Sequence, residues 1–245
     1  MRPDQLNDYD SFAEAYAAEV DSGIVNAYYE RPAILSLAGD MKGRRVLDAG
    51  CGSGPMFEAL RDRGALVTGV DKSAGMLELA RRRLGSDANL QMADLSDPLP
   101  FPDGAFDDVI ASLVMHYLEE WGPTLAEFRR VLASGGRLIV SVDHPFHAHQ
   151  MQRMGQGRWR RRVEPASYFE TYNWTFEWTV SGQKMPMSFW NRPLHAMTDS
   201  FTGAGFRISV ISEPLPAEEG RNVDPEMFGL LSTSPNFLFF VLETG

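Results

Sequence analysis

Cysteine is almost missing from this chain: Cys51 is the single one, so an intramolecular disulfide is excluded. That fits a reducing compartment and rules out a disulfide-stapled secreted scaffold. Long apolar runs are missing too. No stretch of about eighteen apolar residues occurs, which predicts no membrane-spanning helix. The start, MRPDQLNDYD, has no apolar h-region, which predicts no signal peptide and a cytoplasmic location. Positive charge is in short supply. Lys and Arg number 23 against 33 Asp and Glu, a formal charge of −10. That balance argues against nucleic acid as the main partner. Internal repeats and low-complexity tracts are absent. At 245 residues the chain can bury a full core, as monomer or homodimer.

What is present is organised around Val46-Leu47-Asp48-Ala49-Gly50-Cys51-Gly52-Ser53-Gly54. The apolar run Arg45–Ala49 reads as a buried parallel strand. Pro55–Arg63 reads as a helix with Met56, Phe57, Ala59 and Leu60 along one side. A strand, a glycine turn and a helix start make a nucleotide-type site, because glycines admit a ligand close to the backbone.

The rest of the chain repeats this alternation. Strands are expected at Leu66–Val70, Leu90–Met92, Asp108–Leu113 and Arg137–Val142, with helices at Ala74–Leu84 and Trp121–Leu132. Such βαβ units build an α/β fold, a parallel sheet with helices on both faces. Residues 1–40 read as a helical arm, with Tyr9, Phe12, Ala13 and Tyr16 at i, i+3, i+4 and i+7, and a second helix over Ala27–Ala38. Residues 41–143 and 191–245 form the main domain, and 144–190 interrupt it. In that insertion Tyr172, Trp174, Phe176, Trp178 and Val180 alternate with polar residues, as do Met185, Met187 and Phe189 beyond a turn at Ser181–Lys184. Period two means a strand with one apolar face, hence a β-hairpin capping the main body. Pro193–Gly203 reads as a helix and Phe206–Ser212 as a strand. Residues 213–234 read as a loop, and Asn236–Leu242 as a final strand.

Asp71 ends the second strand about twenty residues past the glycine turn, where an acid takes the ribose hydroxyls of an adenosine. Asp94 follows the third strand, placed to accept from an adenine amino group. The glycines are spaced G-x-G-x-G rather than the G-x-G-x-x-G of nicotinamide sites.

VLDAGCGSG, VTGVDKSAGMLELAR, MADLSDPLPFPDGAFDDVIAS and VLASGGRLIVSV, in that order, resemble the motifs of the class I S-adenosylmethionine-dependent methyltransferases. The likeness is to the small-molecule group of ubiquinone- and menaquinone-type, methyltransferase type 11-like enzymes, and covers residues 42–143 well. It implies a Rossmann-like seven-stranded, mostly parallel sheet with the last strand antiparallel. It implies S-adenosyl-L-methionine as cofactor. The Gly50, Cys51, Gly52 and Gly54 loop would meet the methionine part, with Asp48 orienting the loop or reaching the cofactor amine. Asp71 would hold the ribose, Lys72 and Met76 would flank the adenine, and Asp94 with Leu95 would bind its edge. The resemblance implies methyl transfer to a small, aromatic or apolar molecule, and the histidines clustered at the strand ends point to a hydroxyl oxygen as the acceptor. Two alternatives stand beside it. One is an RNA methyltransferase using Arg158 and Arg160 to Arg162 as a phosphate patch. The other is a protein that binds the cofactor without transferring methyl.

Candidates for the acceptor side follow strand ends. His116 and Tyr117 follow the fourth strand and His144 the fifth, and the two histidines are candidate bases. Tyr16, Tyr117, Tyr172, Trp174, Trp190 and Arg192 are candidate substrate contacts. His144, His147 and His149 have spacing that could hold a metal, but no Cys or acid completes the set, so none is expected.

Overall fold

The computed structural model describes residues 6–147, 149, 167–180 and 183–245. Its sheet is built from strands that are apolar on both faces. In β1 (Arg45–Ala49) Arg45 is exposed, and Val46, Leu47, Asp48 and Ala49 are all buried. β1 pairs in parallel with β2 (Leu66–Asp71) and β4 (Phe106–Ser112). β3 (Asn89–Met92) adds to β2, and β5 (Leu132–Asp143) to β4. β9 (Phe237–Thr244) runs antiparallel between β5 and β8 (Phe206–Ser212). The order is β3-β2-β1-β4-β5-β9-β8, a seven-stranded Rossmann-like sheet with its last strand reversed, as expected. A separate hairpin pairs β6 (Tyr172–Val180) with β7 (Gln183–Asn191).

Alternation along the strands divides the core between two faces. Leu47, Val109, Val140 and Phe240 face α5 (Gly122–Val131) and α6 (Leu194–Gly203), where Phe128 and Phe201 are wholly buried. Val46, Ile110, Ile139 and Phe239 face α2 (Arg31–Ala38) and α3 (Pro55–Asp62). Asp108, the buried charge among them, is held by the guanidinium groups of Arg44 and Arg137.

Several boundaries differ from the sequence reading, each for a local reason. Leu132 belongs to β5 rather than to the helix before it. It pairs with Phe106 ahead of a bulge that restores register at Asp108–Arg137. The 213–234 stretch is no plain loop. It holds a 3₁₀ turn at Glu218–Asn222 and a helix, α7 (Pro225–Leu231). Asp224 caps α7, accepting from the Met227 N–H at 2.9 Å, and Pro225 supplies a ready φ at the first helical position. Only Phe228 and Leu231 of α7 are buried, too few to mark a period. The second arm helix begins as a π-helical turn, Asn26–Glu30, before α2.

The arm bridges the sheet domain and the hairpin. On α1 (Tyr9–Ser22), Ala13 and Ala17 pack on Met76 and Leu79 of α4 (Ala74–Leu84). Tyr9 and Phe12 pack on the hairpin's buried face of Tyr172, Trp174, Phe176, Met185, Met187 and Phe189. Two polar joints fix these contacts. Asn7 bonds three times to β7: its N–H donates to Pro186 O at 3.1 Å, its amide donates to Ser188 O at 2.9 Å, and it accepts from Ser188 N–H at 2.8 Å. Asp10 accepts from the Ser73 hydroxyl at 2.5 Å and the Gly75 N–H at 2.8 Å. Ser73 itself caps α4 through Met76 N–H, so Asp10 satisfies a helix-end donor that the local cap leaves over.

These contacts hold the Asp10 carboxyl below the usual range, the Ser73 hydroxyl first and the Gly75 N–H second. A depressed folded-state value means the stabilisation is complete above the unfolded value of about 3.9 and is lost as pH falls through the folded one. Asp10→Ala is therefore expected to speed amide exchange across Tyr9–Ser22 at pH 7, and wild-type exchange there should rise toward the variant's in acid. Equal protection in both proteins at pH 7 would show that the joint holds nothing. Phe240→Ala, opposite Phe201 with ring centres 5.0 Å apart, should cost about 3–5 kcal/mol in urea unfolding.

Candidate functional site

A cavity of about 310 Å³ opens at the C-terminal ends of β1, β2 and β4, beside the point where strand order reverses. Its floor is the glycine turn. The Gly50 and Cys51 N–H groups both donate to Val70 O, at 2.8 and 2.9 Å, folding the loop back over β2. Gly50 has φ +79°, and a Cβ there would stand 2.6 Å from Val114 Cγ2. Gly52 has φ +54°, and a Cβ there would meet no protein atom within 4 Å; it borders the cavity. Gly54 lies off the cavity and packs on Leu84 and Ala80 of α4.

Six carboxyls line this space: Asp8 and Asp10 from the arm, Asp94 after β3, and Asp71, Asp48 and Glu30. Asp71, at the end of β2, accepts from Gly52 N–H at 2.8 Å and Ser73 N–H at 2.9 Å, stapling the loop. Burial pushes its pKa up and the two N–H groups offset part of that. Asp48 is 1% exposed, and neither carboxylate oxygen has a hydrogen bond of ordinary geometry among the described residues, the backbone N–H of Phe57 being the donor that offsets part of its burial. Burial first, then the charges of Asp71 and Glu30, push it up to about 8. Glu30, 2% exposed, comes from the arm; its Oε1 accepts from the hydroxyls of Ser112 at 2.7 Å and Ser141 at 2.6 Å. Burial raises its pKa as well. Beside it, Arg31 donates to Val20 O at 3.0 Å and lines the same wall.

The adenosine-like end is bordered by Lys72 and Met76, and by Ala93, Asp94 and Leu95 after β3. Thr124 donates to Leu95 O at 2.7 Å and so ties that turn to α5. Across the cavity stand Leu113, Val114 and Leu118. Leu113 sits at φ +49°, a conformation uncommon for a branched side chain, with its N–H shared between Ser141 O and Oγ. Tyr9, Tyr16 and Tyr117 complete the wall. The Tyr9 and Tyr117 hydroxyls are hydrogen-bonded to each other, and the Tyr9 and Tyr16 rings meet edge-on at 4.8 Å. Burial raises all three phenols, Tyr16 to about 12, so they are neutral at pH 7.

Of the residues singled out in the sequence, the cavity gathers Asp48, Gly50, Cys51, Gly52, Asp71, Lys72, Met76, Asp94, Leu95, Tyr16 and Tyr117. Others lie away from its wall. His116 is buried under Tyr117 and Phe189, ring centres 4.6 and 4.4 Å away, and burial lowers its pKa. The 3₁₀ turn Met115–Tyr117 brings Tyr117, not His116, to the cavity. His144 pairs with Glu213 at 2.8 Å. Tyr172 and Trp174 fill the hairpin's own core, because its apolar face must be covered. Trp190 is half-buried at the far end of β7. The Arg192 guanidinium lies 4.7 Å over Trp121 and donates to Glu119 O at 2.6 Å. Arg158 and Arg160 to Arg162 fall outside the described residues. Among the described residues no cluster of His, Cys, Asp and Glu could hold a metal ion.

Sequence reasoning missed Glu30, Arg31, Tyr9 and Leu113. Tyr9 was within reach, one helix face with Tyr16 at i, i+7. Nothing in the sequence marks Glu30 as different from any helical glutamate.

Comparison with known proteins converges on one chemistry. A family model described as a methyltransferase domain matches residues 47–140. The demethylmenaquinone methyltransferase of Tropheryma whipplei is 34% identical over 140 residues, covering 56% of this chain and 58% of that protein. The malonyl-[acyl-carrier protein] O-methyltransferase of Serratia marcescens is 36% identical over 109 residues, covering 44% and 42%. The chain thus spans about half the length of these two named relatives. The crystal structure of an S-adenosylmethionine-dependent methyltransferase from Mesorhizobium loti aligns with a TM-score of 0.68 at 25% identity, over 91% of this chain and 99% of that one. The buried Asp48 and the open face of Gly52 suit a cofactor with a cationic methionine end pressed against backbone. The chain carries a methyltransferase domain over residues 47–140, is similar to the class I S-adenosylmethionine-dependent methyltransferases of the small-molecule type, and takes S-adenosylmethionine as its cofactor.

Proposed function

We propose that this methyltransferase acts on a small, apolar or aromatic molecule, at a hydroxyl oxygen. The observation that carries this is the tyrosine wall: neutral Tyr9, Tyr16 and Tyr117 beside apolar Leu113, Val114 and Leu118, in the same cavity as the glycine loop. Such a wall favours a flat apolar body with one polar edge. Of the relatives above, one is named for a quinone-type acceptor, in keeping with a flat aromatic body, and one as an O-methyltransferase, in keeping with an oxygen acceptor.

S-adenosylmethionine supplies an electrophilic methyl group carried on a sulfonium sulfur. The chain's own work is placement, which is where most of the rate gain in such a displacement lies. The Gly50–Gly54 loop receives the methionine part against its backbone. Asp71, already fixed by two N–H groups, accepts from the ribose hydroxyls with its remaining lone pairs. Lys72, Met76 and Cys51 border the adenosine, and Asp94 with Leu95 meets the adenine edge. Asp48 would meet the amine and Arg31 the carboxylate. Tyr117 would orient the acceptor by accepting a hydrogen bond from its hydroxyl, and the proton that this oxygen loses on methylation would leave to solvent, since a neutral phenol bonds it without taking it. His116 acts as a positioning residue, holding Tyr117 and Phe189 from behind. His144 stays with Glu213 outside the cavity.

Release of S-adenosylhomocysteine should be seen with small phenols or quinols and not with RNA. Turnover on RNA alone would overturn the small-molecule assignment. Asp71→Ala should weaken S-adenosylmethionine binding by about 1–3 kcal/mol, the cost of lost carboxylate hydrogen bonds, and unchanged calorimetric affinity would remove it from the ribose site. Tyr117→Phe should lower kcat by about tenfold or more while cofactor affinity stays within about twofold, as for a group that bonds only the acceptor. Full turnover in that variant would take the tyrosine wall out of the acceptor site.

A further inference from the structure

Glu30 stands out among the buried groups. It is an acid carried by the arm, not by the sheet, yet it reaches the strand ends and is tied there by two serine hydroxyls. It shares the cavity with Asp48, whose oxygens have no hydrogen bond of ordinary geometry among the described residues. The other charged groups lining this space are Asp71 on β2, Asp94 after β3, Asp8 and Asp10 on the arm, Arg31 beside Glu30 and the exposed Lys72. Tyr16 faces it from α1 as a neutral phenol, and Cys51 as a neutral thiol. Arg31 is itself shared, feeling Asp21 and Glu58 as well as Glu30, and repelled by Arg83. Among Asp71, Asp48 and Glu30, Asp71 is the best satisfied, through two backbone N–H groups. Asp48 and Glu30 are left as like groups in one poorly solvated space, and in such a pair one member keeps its proton.

We propose that Glu30 and Asp48 form a proton-holding carboxyl pair that recognises the positive charge of S-adenosylmethionine, giving up a proton to solvent as the cofactor binds and favouring it over uncharged-sulfur S-adenosylhomocysteine. This rests on the cofactor reading above. The balance is simple. Before binding, one carboxyl O–H is intact. On binding, that O–H ionises, the proton goes to buffer, and the carboxylate faces the cation; no bond to the cofactor forms. S-adenosylmethionine brings an ammonium, a sulfonium and a carboxylate, a net positive charge. The product keeps the ammonium and carboxylate and has lost the sulfonium charge. A negative pair therefore holds the substrate form more strongly than the product form, and helps release the product after transfer. The burial-raised pKa values of both groups agree with this, Asp48 lying at about 8.

The sign of the pH dependence follows. Below about pH 8 the pair must lose a proton to bind, so affinity rises with pH, by up to about tenfold per unit, and levels off above. Calorimetry of the whole chain in two buffers of different ionisation enthalpy reads the proton directly. The expected release is up to about one proton per S-adenosylmethionine at pH 7, falling toward zero by pH 9, and less with S-adenosylhomocysteine. Glu30→Gln keeps an oxygen for the two serines. It should cut the release and lower the preference for S-adenosylmethionine over S-adenosylhomocysteine by about tenfold, the equivalent of one pKa unit. Asp48→Asn should do the same, with thermal melting to check both folds. Binding enthalpy independent of buffer in the wild-type chain would overturn the proposal, folded variants or not, while leaving the cofactor reading intact. An unchanged preference in folded Glu30→Gln would remove the arm's acid from the pair. No binding of S-adenosylmethionine at all would take away the cofactor reading and this proposal with it.

Discussion

Two backbone N–H groups, from Gly50 and Cys51, converge on the carbonyl of Val70, and the whole site depends on that turn. It joins the end of β1 to the end of β2 more tightly than a side chain at Gly50 would allow, with Val114 pressed against the loop from β4's side. Because the loop lies flat on β2, Asp71 can reach back to the Gly52 N–H and fix it from below. Because Gly52 then turns its open face outward, backbone borders the cavity where a side chain would fill it. Asp48 is left behind the loop, a buried carboxyl bordering the cavity. The loop's shape, its anchoring acid and the buried acid behind it are consequences of one fold-back.

The arm supplies what the sheet lacks. Strand ends give a floor and one wall; the opposite wall is Tyr9, Tyr16, Glu30 and Arg31. Asp10 attaches this wall to the N-terminus of α4, the same helix whose preceding residues, Asp71 and Lys72, border the adenosine end. A shift of α1 would therefore move both sides of the cavity together.

Much of the frame could be read from residue order. Parallel strands buried on both faces are continuous apolar runs, so β1, β2 and β4 stand out, and glycines and acids at their ends carry chemistry by position. The misreadings have physical causes. α7 is a capped helix of just under two turns with two buried side chains, below the length at which periodicity speaks. His116 and Tyr117 are adjacent, and which of them meets the cavity is decided by one 3₁₀ turn that no pattern encodes. Tyr172 and Trp174 were expected at the acceptor, but a two-stranded ribbon must first cover its own apolar face. Glu30 depends on serines 82 and 111 residues away, a meeting of distant segments without local trace.

The bonds of Asn7 to β7 join residues 181 apart in sequence. Held at φ +57°, Asn7 lends its amide as a short rung on the hairpin's edge, so closing this contact circles about three quarters of the 245-residue chain. Loop-closure entropy makes such a contact among the last to be worth forming. The segment nearest the start of the chain thus waits, during folding, for a hairpin made from its final third. The cavity wall that it carries is complete only when nearly everything else already stands.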